Sequence, residues 1–326
     1  MKAALKRIAL MLLTSDPVYT MLRKYALQDD PITILCYHTL RPDNEPLDAW
    51  TTLGVNAFRD QITLLRKTYD IVSLDEALTL GSRGRPRAVL TFDDGERGLF
   101  DHLLPIVEEE DLPVTVYVAT EQFVRDEPFW FDQVMNALQG AGETLIDLTD
   151  HGLNKWKIGP TRGKTRWVQI GLVLEALKAT SMADRDRLAA EVVAQAGPAT
   201  DGFTPLHPMT LVQLKELAAH PLVTIGAHSH GHELLDQISI DAARISVARS
   251  RELLQDWTQQ PVYHFAYPNG NYTPALMAML KEEGFASATI LEDRLMRTDA
   301  PALSLPRIGV GRYDSFARFK LRLIEI

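Results

Sequence analysis

The stretch 88-AVLTFDDGERG-98 ends a short apolar run with two adjacent carboxylates, Asp93 and Asp94, and then a glycine. Ala88, Val89 and Leu90 fit a strand covered on both faces in a parallel sheet. Asp-Asp-Gly is also ordinary turn chemistry, so the rest of the chain must decide between a plain turn and a reactive strand end.

Six more segments have the same strand-like character: 32-ITILCY-37, 113-PVTVYVA-119, 222-LVTIGA-227, 262-VYHFAY-267, 286-ASATI-290 and 303-LSLPRI-308. Helical patterns with readable caps lie between them. Ser73 with Glu76 and Thr210 with Gln213 have capping-box spacing. Thr273-Pro274 opens a helix that Gly284 closes. Such alternation predicts an α/β fold of parallel strands covered by helices, and a single α/β barrel with an insertion fits it.

Residues 126–203 break the rhythm. They hold the aromatic cluster 128-PFWFD-132, two short strand-like pieces at 144–148 and 153–158, and helical patterns near 164–180 and 182–196. Ser181 and Asp184 make a plausible cap for the second helix. With no Ser/Gly-rich linker at either end, the segment reads as an insertion on a barrel loop. The expected organisation is an N-terminal amphipathic helical segment over 1–29 and a barrel over 30–326 that includes the insertion.

The 326 residues are 46% hydrophobic and 24% charged, ordinary for a globular chain that buries a large core. A net charge of −9 leaves no basic excess to neutralise phosphates and speaks against nucleic acid as a partner. Cys36 is the only cysteine, so no intramolecular disulfide forms. The apolar run 8–13 is too short to span a bilayer, and no small-residue cleavage site follows it. Lys2, Lys6, Arg7, Arg23 and Lys24 flank it, which allows peripheral contact with an anionic membrane surface. A helix packed on the body of the protein is the preferred reading. The expected location is cytoplasmic, peripheral to the inner membrane at most.

Downstream, 225-IGAHSHGHELL-235 places His228 and His232 three residues apart after another strand. In parallel α/β folds the C-terminal strand ends converge on the ligand site. Two imidazoles and one carboxylate are a common set for a catalytic Zn2+ with an open position for water. One aspartate of the pair can then hold metal while its neighbour handles protons. His230 is read mainly as a neighbour of the ligands or a solvated side chain, with substitution for one of them as the minor alternative, and Ser229 is read as shaping the loop through backbone hydrogen bonds. Cys36 is read as a small core residue.

The segments TFDDG, H-S-x-x-H and 265-FAYPNG-270 resemble the motifs of metal-dependent polysaccharide deacetylases, carbohydrate esterase family four. The stretches 34-ILCYHTL-40, 58-FRDQITLLRK-67 and 305-LPRIGV-310 agree with that resemblance. It covers about 30–125 and 203–312, leaving the insertion outside. It implies a distorted (β/α) barrel of about seven parallel strands, a divalent metal, most plausibly Zn2+, and removal of N-acetyl groups from sugars. Carried over by position, Asp93 becomes the general base, Asp94 the carboxylate ligand, and His228 and His232 the imidazole ligands.

Two departures stand out. The family's usual Arg-x-Pro-aromatic motif is here Ala266, Tyr267, Pro268 and Asn269, so the arginine that would orient the base is missing; Arg307 is the candidate replacement. The usual C-terminal Leu-x-His is also absent, which leaves His38, at the end of the first strand, as candidate general acid. Asn269 offers a backbone N–H for an oxyanion, and Tyr267 and Trp130 are candidate substrate contacts. The alternatives are hydrolysis of a non-sugar C–N bond and an inactive carbohydrate-binding barrel. Retention of Asp93 beside a complete ligand set argues against the latter.

Overall fold

Each of the seven apolar runs forms a strand: β1 (Ile32–Tyr37), β2 (Arg87–Phe92), β3 (Val114–Val118), β4 (Val223–Ala227), β5 (His264–Ala266), β6 (Ser287–Leu291) and β7 (Leu305–Gly309). The computed structural model describes residues 10–326 except 80, 82, 83, 200, 201 and 203. All neighbouring barrel strands pair in parallel, and β1 pairs with both β2 and β7, at Leu35↔Leu90 and Leu35↔Ile308. The sheet therefore closes into a seven-stranded parallel barrel. Closure leaves no open edge among these seven strands, with the short strand Asp70–Ile71 added beside the start of β2; β1, β2 and β3 are buried along their whole length. Val116, Phe92, Phe265 and Ile308 belong to the large apolar core between barrel and helices.

Strand β5 is shorter than its apolar run because Pro261 and Pro268, which have no N–H to donate, bracket it. The capping boxes form as their spacing requires. Ser73 and Glu76 bond reciprocally, as do Thr210 and Gln213, while Thr273 receives the N–H of Leu276.

Between β3 and β4 the chain builds α1 (Trp130–Gly140), an antiparallel hairpin of Thr144–Asp147 with Lys155–Ile158, α2 (Lys164–Lys178) and α3 (Met182–Ala196). These elements have their own apolar core, including Val134, Leu138, Ile146, Ile170 and Leu188, which Leu47 and Ala49 of the main body join. Buried Arg166 ends α1 by donating to the carbonyls of Leu138, at 2.6 Å, and Ala141.

Near the N-terminus, the helix Asp16–Ala26 packs on the chain's last turn, where Tyr19, Leu321 and Ile324 form a small cluster. Lys320 lies 4.3 Å from the Tyr19 ring centroid and donates to the Thr14 carbonyl. Residues 1–9, which carry Lys2, Lys6, Arg7 and the start of the 8–13 run, lie outside the described residues, as do 200, 201 and 203 of the insertion. No helix among the described residues is long and apolar enough to cross a membrane.

Candidate active site

At the end of β2 the backbone turns sharply, with Asp94 at φ 75°. Ser229, His232 and Asn269 are also left-handed, at φ 63°, 53° and 58°. Residues with side chains seldom adopt that region, and its repeated use around one site marks loops held in place by their surroundings. The turn sends the adjacent carboxylates to different partners, Asp93 to Arg307 and Asp94 to two histidines.

Asp93 is buried and receives both arms of the Arg307 guanidinium at 2.7 Å, one on each oxygen. Arg307 is fully buried on β7, also donates to Thr91 Oγ1 at 3.0 Å, and lies 5.3 Å from the Tyr117 ring centroid. A bidentate Arg–carboxylate pair fixes orientation as well as charge. Burial pushes the Asp93 carboxyl up, but the Arg307 charge, followed by His228, brings it below its ordinary value.

The ligand atoms of Asp94, His228 and His232 lie within 4.8 Å of one another. Asp94 Oδ1 is buried without a hydrogen bond, and the two Nε2 atoms face it at 3.5 Å (His228) and 3.2 Å (His232). His228 Nδ1 is 2.7 Å from the Ala266 carbonyl, which can only accept, so this nitrogen carries the proton and Nε2 keeps its lone pair. An orphaned carboxylate oxygen beside two converging imidazoles is a donor set that fits a divalent cation. Burial raises the Asp94 pKa, yet the His228 and His232 imidazoles hold it well below the usual carboxylate range. His228 is shifted up: burial works against its charge, and Asp93 and Asp94 outweigh burial.

These groups line one cavity of about 200 Å³, together with His38, Asn269 and Trp130. His38 packs edge-on against Trp50, centroids 5.5 Å apart, and its buried Nδ1 has no partner among the described residues. Burial lowers its pKa despite the nearby Asp94 and Asp93 charges. Phe131 sits 4.9 Å from the His232 ring, whereas Phe129 is buried and stacks on Phe131. The aromatic cluster therefore both pins the insertion and walls the site.

One sequence expectation is corrected. Tyr267, a candidate substrate contact, is fully buried; its hydroxyl donates to the Leu303 carbonyl at 3.1 Å and it does not line the cavity. Ser229 fits its sequence reading: its left-handed backbone accepts the Thr120 N–H at 3.4 Å, and its hydroxyl has no partner among the described residues. His230 likewise stands outside the Asp94, His228 and His232 group, with its Nδ1 2.8 Å from the Thr120 hydroxyl, as its main sequence reading expects.

Other contributors left no local signal. Cys36, on β1, donates its thiol to Asp93 Oδ2 at 3.4 Å, and Gln122 donates to the Asp94 carbonyl. Strand register β1–β2 brings Cys36 level with Thr91. Trp167, Leu174 and Lys178 of α2 complete the cavity wall from the insertion.

No curated protein sequence matches the chain. Three solved structures share its fold at low identity: a Streptococcus pyogenes deacetylase, PplD, in complex with acetate (16% identity, 90% of this chain and 98% of that one, TM-score 0.58); IcaB from Ammonifex degensii (18%, 90% and 97%, 0.57); and a de-N-acetylase from Aggregatibacter actinomycetemcomitans (15%, 90% and 100%, 0.54). The family model "Polysaccharide deacetylase" matches residues 81–156 and 199–288. The match enters the insertion, which the motifs had left outside, and stops short of 305–310. With TFDDG and the histidine pair both inside a match spanning more than half its length, the chain belongs to the polysaccharide deacetylase family.

Proposed function

We propose that this protein is a metal-dependent hydrolase that removes N-acetyl groups from the amino sugars of a glycan. The observation that carries this reading is one cavity holding both a three-ligand cluster and a separate carboxylate clamped by arginine. Asp94, His228 and His232 would hold the ion, and two imidazoles with one carboxylate favour Zn2+. When bound, such an ion supplies Lewis acidity, bringing the pKa of water to about 7.

Asp93 takes the proton of the attacking water. A carboxylate has about four acceptor positions. Arg307 uses one on each oxygen and Cys36 a second on Oδ2, which leaves one on Oδ1. Arg307 keeps Asp93 ionised and oriented, at some expense in basicity. The backbone N–H of Asn269 donates to the tetrahedral oxyanion. His38 protonates the departing amine, which leaves poorly as an anion. Trp130 stacks on the sugar face, as aromatic rings do with large apolar surfaces.

The test is acetate release from N-acetylated oligosaccharides by the Zn2+-loaded protein, compared with Asp93→Asn. Loss of a general base should cost about 10²–10⁴ in kcat while bound metal, measured on the same sample, stays unchanged. An Asp93→Asn variant as active as the parent, or a parent that retains no divalent ion, overturns the reading.

A further inference from the structure

We propose that Tyr117 is a positioning residue of the reaction: its ring braces the Arg307 fork and, through that fork, the orientation of the Asp93 carboxylate. The inference rests on the reading of Asp93 as general base given above.

The starting point is a glycine in an unfavourable place. Gly226 lies inside β4 and is buried, where a glycine weakens the strand and often marks a close approach by another group. Register shows which group approaches. Strands β3 and β4 pair Tyr117 with Gly226, and residues directly opposite each other share a face of the sheet. A Cβ at position 226 would stand 2.4 Å from one carbon of the Tyr117 ring and 2.6 Å from another. The ring thus occupies the space that the glycine leaves. Tyr117 joins Ile34, Val89, Ala266 and Leu305 in a cluster separate from the core between barrel and helices.

Arg307 lies over this ring, its guanidinium carbon 5.3 Å from the centroid, and both side chains are fully buried. An electron-rich ring face favours a cation, the more so away from water. Hydrogen bonds hold the guanidinium at its edges, to Thr91 Oγ1 at 3.0 Å, to the Ile290 carbonyl at 3.4 Å and to both oxygens of Asp93. Those bonds keep their geometry only while the arginine stem cannot swing, and the ring fills space into which it would move.

The consequence reaches the base. Asp93 keeps one acceptor position on Oδ1 for a proton from water, and the direction of that position follows the orientation that Arg307 imposes. Tyr117 does not line the cavity, so its effect on the reaction passes through Arg307.

The test measures acetate release by the Zn2+-loaded full chain, with bound metal and melting midpoint taken on the same samples. Tyr117→Leu removes the ring and should lower kcat about 10- to 100-fold, with KM and Zn2+ content those of the parent. Tyr117→Phe keeps the ring and should bring kcat back close to the parent's. A ring that only filled the barrel would, when removed, lower the melting midpoint and leave turnover per bound ion unchanged; that result overturns the inference. A double-mutant cycle adds a second readout. In an Arg307→Lys background, Tyr117→Leu should cost little more, and a loss there as large as in the parent also overturns it. Should the leucine variant not fold, Tyr117→Met, longer and more adaptable, takes its place in the same cycle. A parent that releases no acetate from any N-acetylated oligosaccharide removes the deacetylase reading itself, whereas an active parent indifferent to Tyr117→Leu removes only the role of Tyr117.

Discussion

A proton donor must hold a proton, yet burial draws the His38 imidazole below its ordinary pKa even beside Asp94 and Asp93. In the resting protein His38 is therefore neutral at pH 7, and it must gain its proton during turnover. Asp93, the proposed base that would receive one from water, lines the same cavity. The role can be read from the leaving group. His38→Ala should slow release of an amine from an N-acetyl sugar by about 10²–10⁴, but barely affect p-nitrophenyl acetate, whose phenolate needs no proton. Equal losses on both substrates would exclude His38 as the acid. At this scale the sequence was informative where placement is local: Asp93, Asp94, His228 and His232 stand just after strand ends and line one cavity. Cys36 was opaque because its thiol meets Asp93 only through strand register. Tyr267 was misread because side-chain direction just past a strand end depends on the turn that follows.

Among the elements, all seven barrel strands and the insertion's hairpin and helices were legible, since each has its own periodicity and punctuation. What the helices face was harder. Helix α2 has apolar residues around its circumference, with Ile170 and Leu177 buried but Val168 and Leu172 exposed, so the face that walls the cavity is not marked. Docking of α1 beside the site has an electrostatic consequence at Asp132. Burial, then the charges of Asp94 and Glu96, push this carboxyl well above its usual range, although Arg41 pulls the other way. An acid whose pKa is raised by folding binds its proton more tightly in the native state. Stability is then highest below the unfolded-state value of about 4 and falls as pH rises from there through the native value. Asp132→Asn should accordingly raise the melting midpoint at pH 7.5 and leave it unchanged near pH 4. A midpoint at pH 7.5 equal to or below that of the parent would contradict this origin of the shift.

For the whole molecule, the candidate ligands come from two distant parts of the chain, after β2 and after β4, and the unfolded polypeptide cannot present them together. Ion binding should stabilise the native state alone. Zn2+ at about a hundredfold its dissociation constant adds about 2.7 kcal/mol, which at about 2 °C per kcal/mol for a large domain moves the melting midpoint up by about 5 °C. His228→Ala should abolish that rise, and calorimetry with and without chelator measures it; a parent midpoint indifferent to Zn2+ would remove the cluster as a metal site. The parallel α/β architecture was readable from alternation alone, but ring closure was not. Closure depends on β1 finding β7 some 270 residues away, a pairing with no local trace.

That pairing also sets an order of events during synthesis. Arg307 emerges from the ribosome more than 200 residues after the acid it neutralises. Until it arrives, the growing polypeptide has an unfinished sheet with two bare flanks and an unmatched negative charge between them. A nascent chain halted before residue 305 would have every proposed ligand and no means of holding its base, and should be prone to self-association until the last strand seals the ring.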